Sequence, residues 1–354
     1  MAEHAAALAR VSSSRSPQDA IAAFAGGALP HTILSCCQGT LLDMFSTQAV
    51  LPLRATCRDA AAAVAGHPWD DLETAIRGYV GPTLLPTGPG AQKGAWRACF
   101  PRARGASLSE DPWSGPCRRT PVVDADLAHL AGLRRLRLRW CRKVTDAAFV
   151  HMGGIQSLDM SHCPLVTDAG FAHLRGIKSL NMQRCSQPTI TDAAFAHLVG
   201  IQHLEMNCCD QPTITDAAFV HLRGIQSLDM TGCWQSSITD AAFVPLAGIQ
   251  SLDMSFCDQP TITDAAFVSL AGIQRLYMSC CRQASITGAA FPHLKGIQCL
   301  NMHGCSKATF AAARAAGLSV QGSPVHPPWT LGGRMLYFLS MAFSSVYSVF
   351  VTYT

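Results

Sequence analysis

TDAAFVHLRGIQSLDMTGC, residues 215–233, is one copy of a phrase that the chain writes again and again. Closely related words begin at Thr145, Thr167, Thr191, Thr239 and Thr263, and an altered one at Thr287. Aligned on their Thr-Asp start, the copies share the frame V/I-T-D-A-A-F-x-x-L-x-G-I-x-x-L-x-M-x-x-C. Within the frame, Leu228 and Met230 alternate with Ser227, Asp229 and Thr231, which reads as a short strand with one face in and one out. Thr215 is a good helix N-cap, and Asp216 places negative charge at the positive end of a short helix. Phe219 and Leu222, three apart, share one face of that helix, and Gly224 lets the chain turn into the next strand.

The cysteines that close successive units, Cys141, Cys163, Cys185, Cys209, Cys233, Cys257, Cys281 and Cys305, are spaced by 22, 22 and then 24 residues. Self-similarity at a period of about 20–29 residues is the mark of a leucine-rich-repeat solenoid, and Ile225-x-x-Leu228-x-Met230-x-x-Cys233 fits its inner pattern. One unit cannot bury Ile214, Phe219, Leu222, Ile225, Leu228 and Met230 by itself, so neighbours must stack. The expected fold is α/β: a right-handed solenoid with a parallel concave sheet and short convex helices. A small apolar thiol that donates weakly suits a place beneath turning backbone.

Stacking also aligns the outward side chains in columns. The central column reads Arg137, Asp159, Asn181, Glu205, Asp229, Asp253, Tyr277, Asn301, flanked on one side by a column that starts at Arg139 and on the other by one that starts at Arg135. The core letters scarcely change while these do. A basic N-terminal edge followed by a mildly acidic, polar floor is the surface on which an extended protein partner is expected to bind, and all ten of these residues are candidates for that contact.

The totals narrow the alternatives. Hydrophobic residues make up 49% of the 354 and charged ones 14%, so most of the chain should fold. Net charge is +4, without a long basic run or a basic-aromatic stripe, so nucleic acid is not an expected partner. Sixteen cysteines would suit a secreted disulfide scaffold, but eight of them recur in phase and no C-x-x-C pair exists. A reducing compartment, cytoplasm or nucleus, is the expectation. The N-terminus lacks an uninterrupted apolar segment of the secretory kind.

The unit resembles the cysteine-containing class of leucine-rich repeats, on the strength of stretches such as CDQPTITDAAF (Cys257 to Phe267). The resemblance covers residues 123–310. Ahead of it, ALPHTILSCCQGTLLDMFSTQAVLPLRATCRDAAAAVAGHPWDDL (residues 28–72) resembles an F-box. Leu29, Pro30, Ile33, Leu34, Leu51, Leu53, Cys57, Arg58 and Trp69 carry the likeness. The spacer between Leu34 and Leu53 is longer than usual, and Gly39 interrupts the first helix at a cost of about 1 kcal/mol. What the resemblance implies is a substrate receptor of an SCF-type cullin ubiquitin ligase. Leu29, Pro30, Ile33, Leu34, Leu51, Leu53, Cys57 and Trp69 would meet the adaptor subunit and, through it, the cullin. The concave face would hold an unidentified protein substrate. Such a chain supplies proximity and performs no chemistry. The alternative is a leucine-rich-repeat scaffold unconnected with ubiquitin.

Catalytic, metal and cofactor sites are not expected. The histidines at 129, 151, 173, 197, 221 and 293 recur before the helix leucine, but Pro245 and Ser269 replace them in two units. They should face solvent, too far apart to share an ion. Neighbouring cysteines of the column point in parallel, which disfavours disulfides. TGPGAQKG (residues 87–94) lacks the G-K-S/T of a phosphate loop. The expected organisation is a flexible N-terminus (1–28), an F-box-like helical domain (29–75), a linker and N-terminal cap (76–122), about eight repeats (123–310), and a C-terminal cap with an apolar tail (311–354). Residues 335–354 carry no charge. As a helix they would span about 30 Å, the thickness of a bilayer core. A membrane anchor, a segment docked on the solenoid end, and an unselected extension are alternative readings of that tail.

Overall fold

The computed structural model describes residues 58–67, 97–108 and 121–324. Its centre is one sheet of ten parallel strands in strict chain order: β1 (Gly105–Ser107), β2 (Arg135–Arg137), β3 (Ser157–Asp159), β4 (Ser179–Asn181), β5 (His203–Glu205), β6 (Ser227–Asp229), β7 (Ser251–Asp253), β8 (Arg275–Tyr277), β9 (Cys299–Asn301) and β10 (Val320–Gln321). Leu136, Leu158, Leu180, Leu204, Leu228, Leu252, Leu276 and Leu300 pair across adjacent strands, and each is 3% exposed or less. The fold is the α/β leucine-rich-repeat solenoid, with a register that puts the predicted columns side by side.

The helical side is built from single turns. Asp216–Phe219 is α-helical and Val220–Leu222 continues as 3₁₀. In the equivalent units, Asp146–Met152 and Asp240–Leu246 are 3₁₀ throughout. Segments this short gain little from propensity and are held by packing. Six begin at the predicted cap: the hydroxyls of Thr145, Thr167, Thr191, Thr215, Thr239 and Thr263 accept from the amide two residues on. Thr287 makes the same bond, but the helix of its unit begins later, at Phe291. Gly224 ends its unit at φ +82°, in the left-handed region that only glycine enters without strain.

Between sheet and helices lies one continuous core. Phe149, Phe171, Phe195, Phe219, Phe243, Phe267 and Phe291 form a fully buried file, with Met160, Met182, Met206, Met230, Met254, Met278 and Met302 beside it. Full burial of one such side chain stabilises by about 1.5–3 kcal/mol. The cysteine column has a specific partner. Cys163 Sγ donates to Leu138 O at 3.2 Å, Cys209 to Met182 O at 3.1 Å and Cys233 to Met206 O at 3.2 Å, so each thiol ties its turn to the preceding repeat. The same bond recurs at Cys141, Cys185, Cys257, Cys281 and Cys305. The twelve cysteines among the described residues are free thiols.

Two further ladders link the units. Asp216 sits in its own first turn, as read from the sequence, but its carboxylate accepts from the Thr239 amide and hydroxyl of the next unit, each at 2.7 Å. Equivalent pairs run from Asp124–Thr145 to Asp264–Thr287. The second ladder explains the change of period from 22 to 24. The longer units contain Gln187, Gln211, Gln235, Gln259 and Gln283, whose Nε2 donates to the carbonyls of Cys163, Cys185, Cys209, Cys233 and Cys257. The shorter units, CRKVTD and CPLVTD, lack the residues that would supply it.

The sheet extends one strand beyond the repeats at each end. β1 pairs with β2, and Phe100 and Leu108 near it are buried in the same core. At the other end the terminal helix is Lys307–Ala315, so the C-terminal cap starts four residues before its expected boundary at 311. The reason is Ser306, whose hydroxyl accepts from Thr309 N at 3.1 Å. β10 then pairs with β9. Near the N-terminus, Arg58–Gly66 is an α-helix.

Candidate functional site

The outward column from Arg137 to Asn301 is paired strand by strand, as its sequence positions require. Several of its members hold backbone as well as facing outward. Oδ1 of Asp159, Asp229 and Asp253 accepts from the amides of Ser161, Thr231 and Ser255 at 2.9–3.1 Å. Asn181 and Asn301 do the same for Gln183 and His303. A short acceptor two residues before the turn mimics a backbone bond, which is why Asp and Asn recur there. This local order also covers the next outward position: Ser161, Thr231 and Ser255 are buried, although alternation alone places them on the open face.

The remaining polar atoms make links along the face. Asn181 Nδ2 donates to Glu205 Oε2 at 2.6 Å, and Asn207 Nδ2 to Asp229 Oδ2 at 2.6 Å. At the basic end, Arg137 Nε and Arg139 Nε lie 3.7 and 3.9 Å from Asp159 Oδ2. Further along, acid meets acid. Loss of solvent raises the Glu205 carboxyl above its ordinary range, and Asp229 and Asp159 push it the same way. Burial and then Asp253 raise Asp229, against the bonds from Thr231 and Asn207 that favour its ionised form. Between Arg184 and Arg275 the sole lysine or arginine in the sequence is Arg223, in the turn that leaves the helical side. The floor thus carries negative charge that its neighbours compensate incompletely.

A third set of residues escaped sequence reasoning. Immediately before each column cysteine the backbone turns left-handed, at Trp140, His162, Arg184, Cys208, Gly232, Phe256, Cys280 and Gly304. The amides of this column keep donating across the sheet, for example Trp140 N to Ser161 O at 3.0 Å and His162 N to Gln183 O at 2.9 Å. Their side chains therefore stack in order along one rim of the concave face. Trp140 and His162 lie ring on ring, centroids 3.5 Å apart and planes 13° from parallel. The Arg142 guanidinium sits 5.7 Å from the Trp140 ring centroid. Burial lowers the His162 imidazole to about 4, and the charges of Arg184, Arg139 and Arg142 act in the same direction. At neutral pH it is an uncharged ring among cations. The available signal was the variability of this position beside an invariant cysteine. A reading based on strand alternation stops one residue short of it.

The structure brings Arg135, Arg137, Arg139, Asp159, Asn181, Glu205, Asp229, Asp253, Tyr277 and Asn301 onto one face. The F-box-like positions Leu29, Pro30, Ile33, Leu34, Leu51, Leu53, Cys57 and Trp69, and the tail 335–354, lie outside the described residues. Among the described residues no helix is long and apolar enough to cross a membrane. No group of three or more His, Cys, Asp or Glu among them is placed to hold a metal ion. The histidine column is half-buried or exposed along the helical side. Burial raises the column thiols from Cys163 to Cys305, Cys185 to about 12, so these are protonated donors.

No protein-family model matches the chain. The search of curated proteins likewise finds no match. Among solved structures, the chain resembles the TLR13–ssRNA13 complex with a TM-score of 0.49 and 17% identity, over 62% of this chain and 31% of that one. It resembles human 5T4, also called trophoblast glycoprotein, with a TM-score of 0.40 and 20% identity, over 51% of this chain and 72% of that one. For the yeast Rad7–Elc1 complex the TM-score is 0.42 at 15% identity, over 66% of this chain and 71% of that one. The chain thus spans about a third of the length of the TLR13 chain.

Proposed function

We propose that the chain is a non-catalytic substrate receptor of an SCF-type cullin ubiquitin ligase. Its F-box-like segment recruits the adaptor subunit, and the concave face of its solenoid holds a protein substrate. The observation that carries this reading is the order of modules in one sequence: the Leu29–Trp69 pattern first, a repeat array with a variable polar face second. The face has the properties of a recognition surface. Its backbone is fixed by the Asp–Thr, Gln–carbonyl and Cys–carbonyl ladders, so little ordering entropy is lost when a partner docks. Its side chains change from unit to unit while the core does not. Cytoplasm or nucleus is the compartment in which this role and these free thiols fit together.

The decisive experiment is co-expression of the full chain with the adaptor subunit, followed by co-purification, for the native protein and for Leu53→Asp. A charge at an anchor position of the proposed interface should abolish association. Retained binding by the variant, or no binding by a folded native chain, would remove the ubiquitin assignment. A repeat scaffold for protein partners would then remain, and the concave-face assignment would stand on its own test.

A further inference from the structure

We infer that the concave face is bipolar and takes an extended protein segment with two charge blocks, an acidic one on the Arg142–Trp140–His162–Arg184 rim and a basic one on the Glu205–Asp229–Asp253 floor. The inference rests on the concave-face part of the proposed function and is independent of the F-box-like segment.

The rim supplies the first half. Trp140 and His162 present stacked planes, Arg142 lies over the outer ring, and Arg184 follows His162 in the same column. Arg135 and Arg137 stand on the adjacent strand β2. Asp159 lies beside Arg137 and Arg139, with its other oxygen bonded to Ser161. One carboxylate therefore meets two guanidiniums, with those of Arg142 and Arg184 grouped around the adjoining His162, and a net positive field remains at this end. Guanidinium groups beside flat rings suit carboxylates, which they bind in a planar, bidentate manner.

The floor supplies the second half. Glu205, Asp229 and Asp253 succeed one another on β5, β6 and β7, and the carboxyls of Glu205 and Asp229 are raised first by burial and then by repulsion from their acidic neighbours. An ammonium or guanidinium placed over them relieves that repulsion. From β2 to β6 there are four strand steps, about 19 Å at about 4.8 Å each, and an extended chain covers that in about six residues. The two blocks of the partner should be separated accordingly. The same floor argues against a nucleic acid, whose phosphates would have to cross three carboxylates after leaving the rim.

The test uses the full chain and fluorescent peptides read by anisotropy at about 0.15 M salt, where fields reach about 8 Å. One peptide carries four glutamates and four lysines with block centres six residues apart, a second has the blocks in reverse order, and a third scrambles the same composition. A single-stranded uridine oligonucleotide is the fourth probe. One block order should bind at least about tenfold more tightly than the scramble, a difference of about 1.4 kcal/mol. Arg142→Gln with Arg184→Gln, and separately Glu205→Lys, should each erase that preference while the circular dichroism spectrum stays native. Equal binding of blocked and scrambled peptides, no binding at all, unchanged preference in the folded variants, or tighter binding of the oligonucleotide would each overturn the inference. Adaptor co-purification is scored on the same preparations. Loss of peptide preference with adaptor binding intact removes this inference alone, and the converse removes only the ubiquitin assignment.

Discussion

Asp216 and Thr239, 23 residues apart, are joined twice: the Thr239 amide donates to Asp216 Oδ1 and its hydroxyl to Oδ2, each at 2.7 Å. The same hydroxyl accepts from Ala241 N at 3.2 Å. One carboxylate therefore orients the cap of the following unit, and the pair is part of a ladder along the solenoid. Hydrogen bonds to charged groups contribute about 1.5–3 kcal/mol each. Asp216→Ala should destabilise by about 2–4 kcal/mol in urea unfolding. Asp216→Asn, which keeps an acceptor for the amide, should cost less than half of that. Because each unit contacts only its neighbours, the alanine variant should also broaden or split the transition. Equal stability of the two variants would show that the carboxylate does not hold the joint.

Gly170 is the place where the repeat consensus points to a stabilising substitution across a tight contact. The equivalent residues Ala148, Ala194, Ala218, Ala242 and Ala266 are buried alanines, so Gly170→Ala looks like a gain of up to about 1 kcal/mol from helix propensity. A Cβ at 170 would lie 2.7 Å from Asp146 Oδ1 and 3.2 Å from Val166 Cγ1. That oxygen accepts from Thr167 N at 2.8 Å. The oxygen is the tip of a side chain, and the units with alanine at this position keep the same Asp–Thr joint at 2.7–2.8 Å, so a small shift of Asp146 should accommodate the methyl and leave most of that gain. A fall in thermal midpoint for the variant would show that Asp146 cannot shift without losing its bond to Thr167.

The thiols should divide into two classes. Burial raises Cys209, Cys233 and Cys281 far above a normal thiol, and the thiolate is the reactive form. Cys208, Cys280 and Cys299 are half-exposed. Brief iodoacetamide labelling with site-resolved mass spectrometry should modify these three ahead of the column cysteines, which should react only in denaturant. Early labelling of Cys233 would mean that the array opens in its middle under native conditions.

The repeats could be read because a period of 22–24 residues repeats the same physical problem, and its solution is visible as Phe219, Leu228, Met230 and Cys233 and their equivalents in all but the first copy, which has Leu127 and Leu138 for the Phe and the Met. Local chemistry was legible on the same ground, as in the Thr215 cap. The links between units were harder to see. Asp216 in isolation is a favourable charge at a helix start, and its bonds to Thr239 emerge only when two units are superposed. The glutamines at 211, 235 and 259 carry no local signal of their role, because their partners are carbonyls in another unit. On the concave face, the central column followed from alternation. The Trp140–His162 rim did not, because a left-handed residue breaks the alternation on which the reading depends.

His162 gives the rim a pH signature. Burial and the nearby Arg184, Arg139 and Arg142 hold its imidazole near 4, against an unfolded value of about 6.5. Between those values the unfolded chain binds the extra proton and the folded chain does not, so this residue's contribution to stability is complete above about pH 6.5 and is lost as pH falls toward 4. Glu205 and Asp229, whose carboxyls are raised, act in the opposite sense at the acid end: the folded state takes up their protons first. The difference between the native chain and His162→Phe, which keeps a ring against Trp140 and removes the titration, isolates the histidine. That difference should be constant above pH 6.5 and should shift in favour of the variant below it. NMR titration of the imidazole should show a midpoint near 4, rising when the acidic block of a peptide partner neutralises the surrounding arginines. A midpoint near 6.5 in the free chain would mean that the ring is solvated and that the stack with Trp140 does not persist in solution.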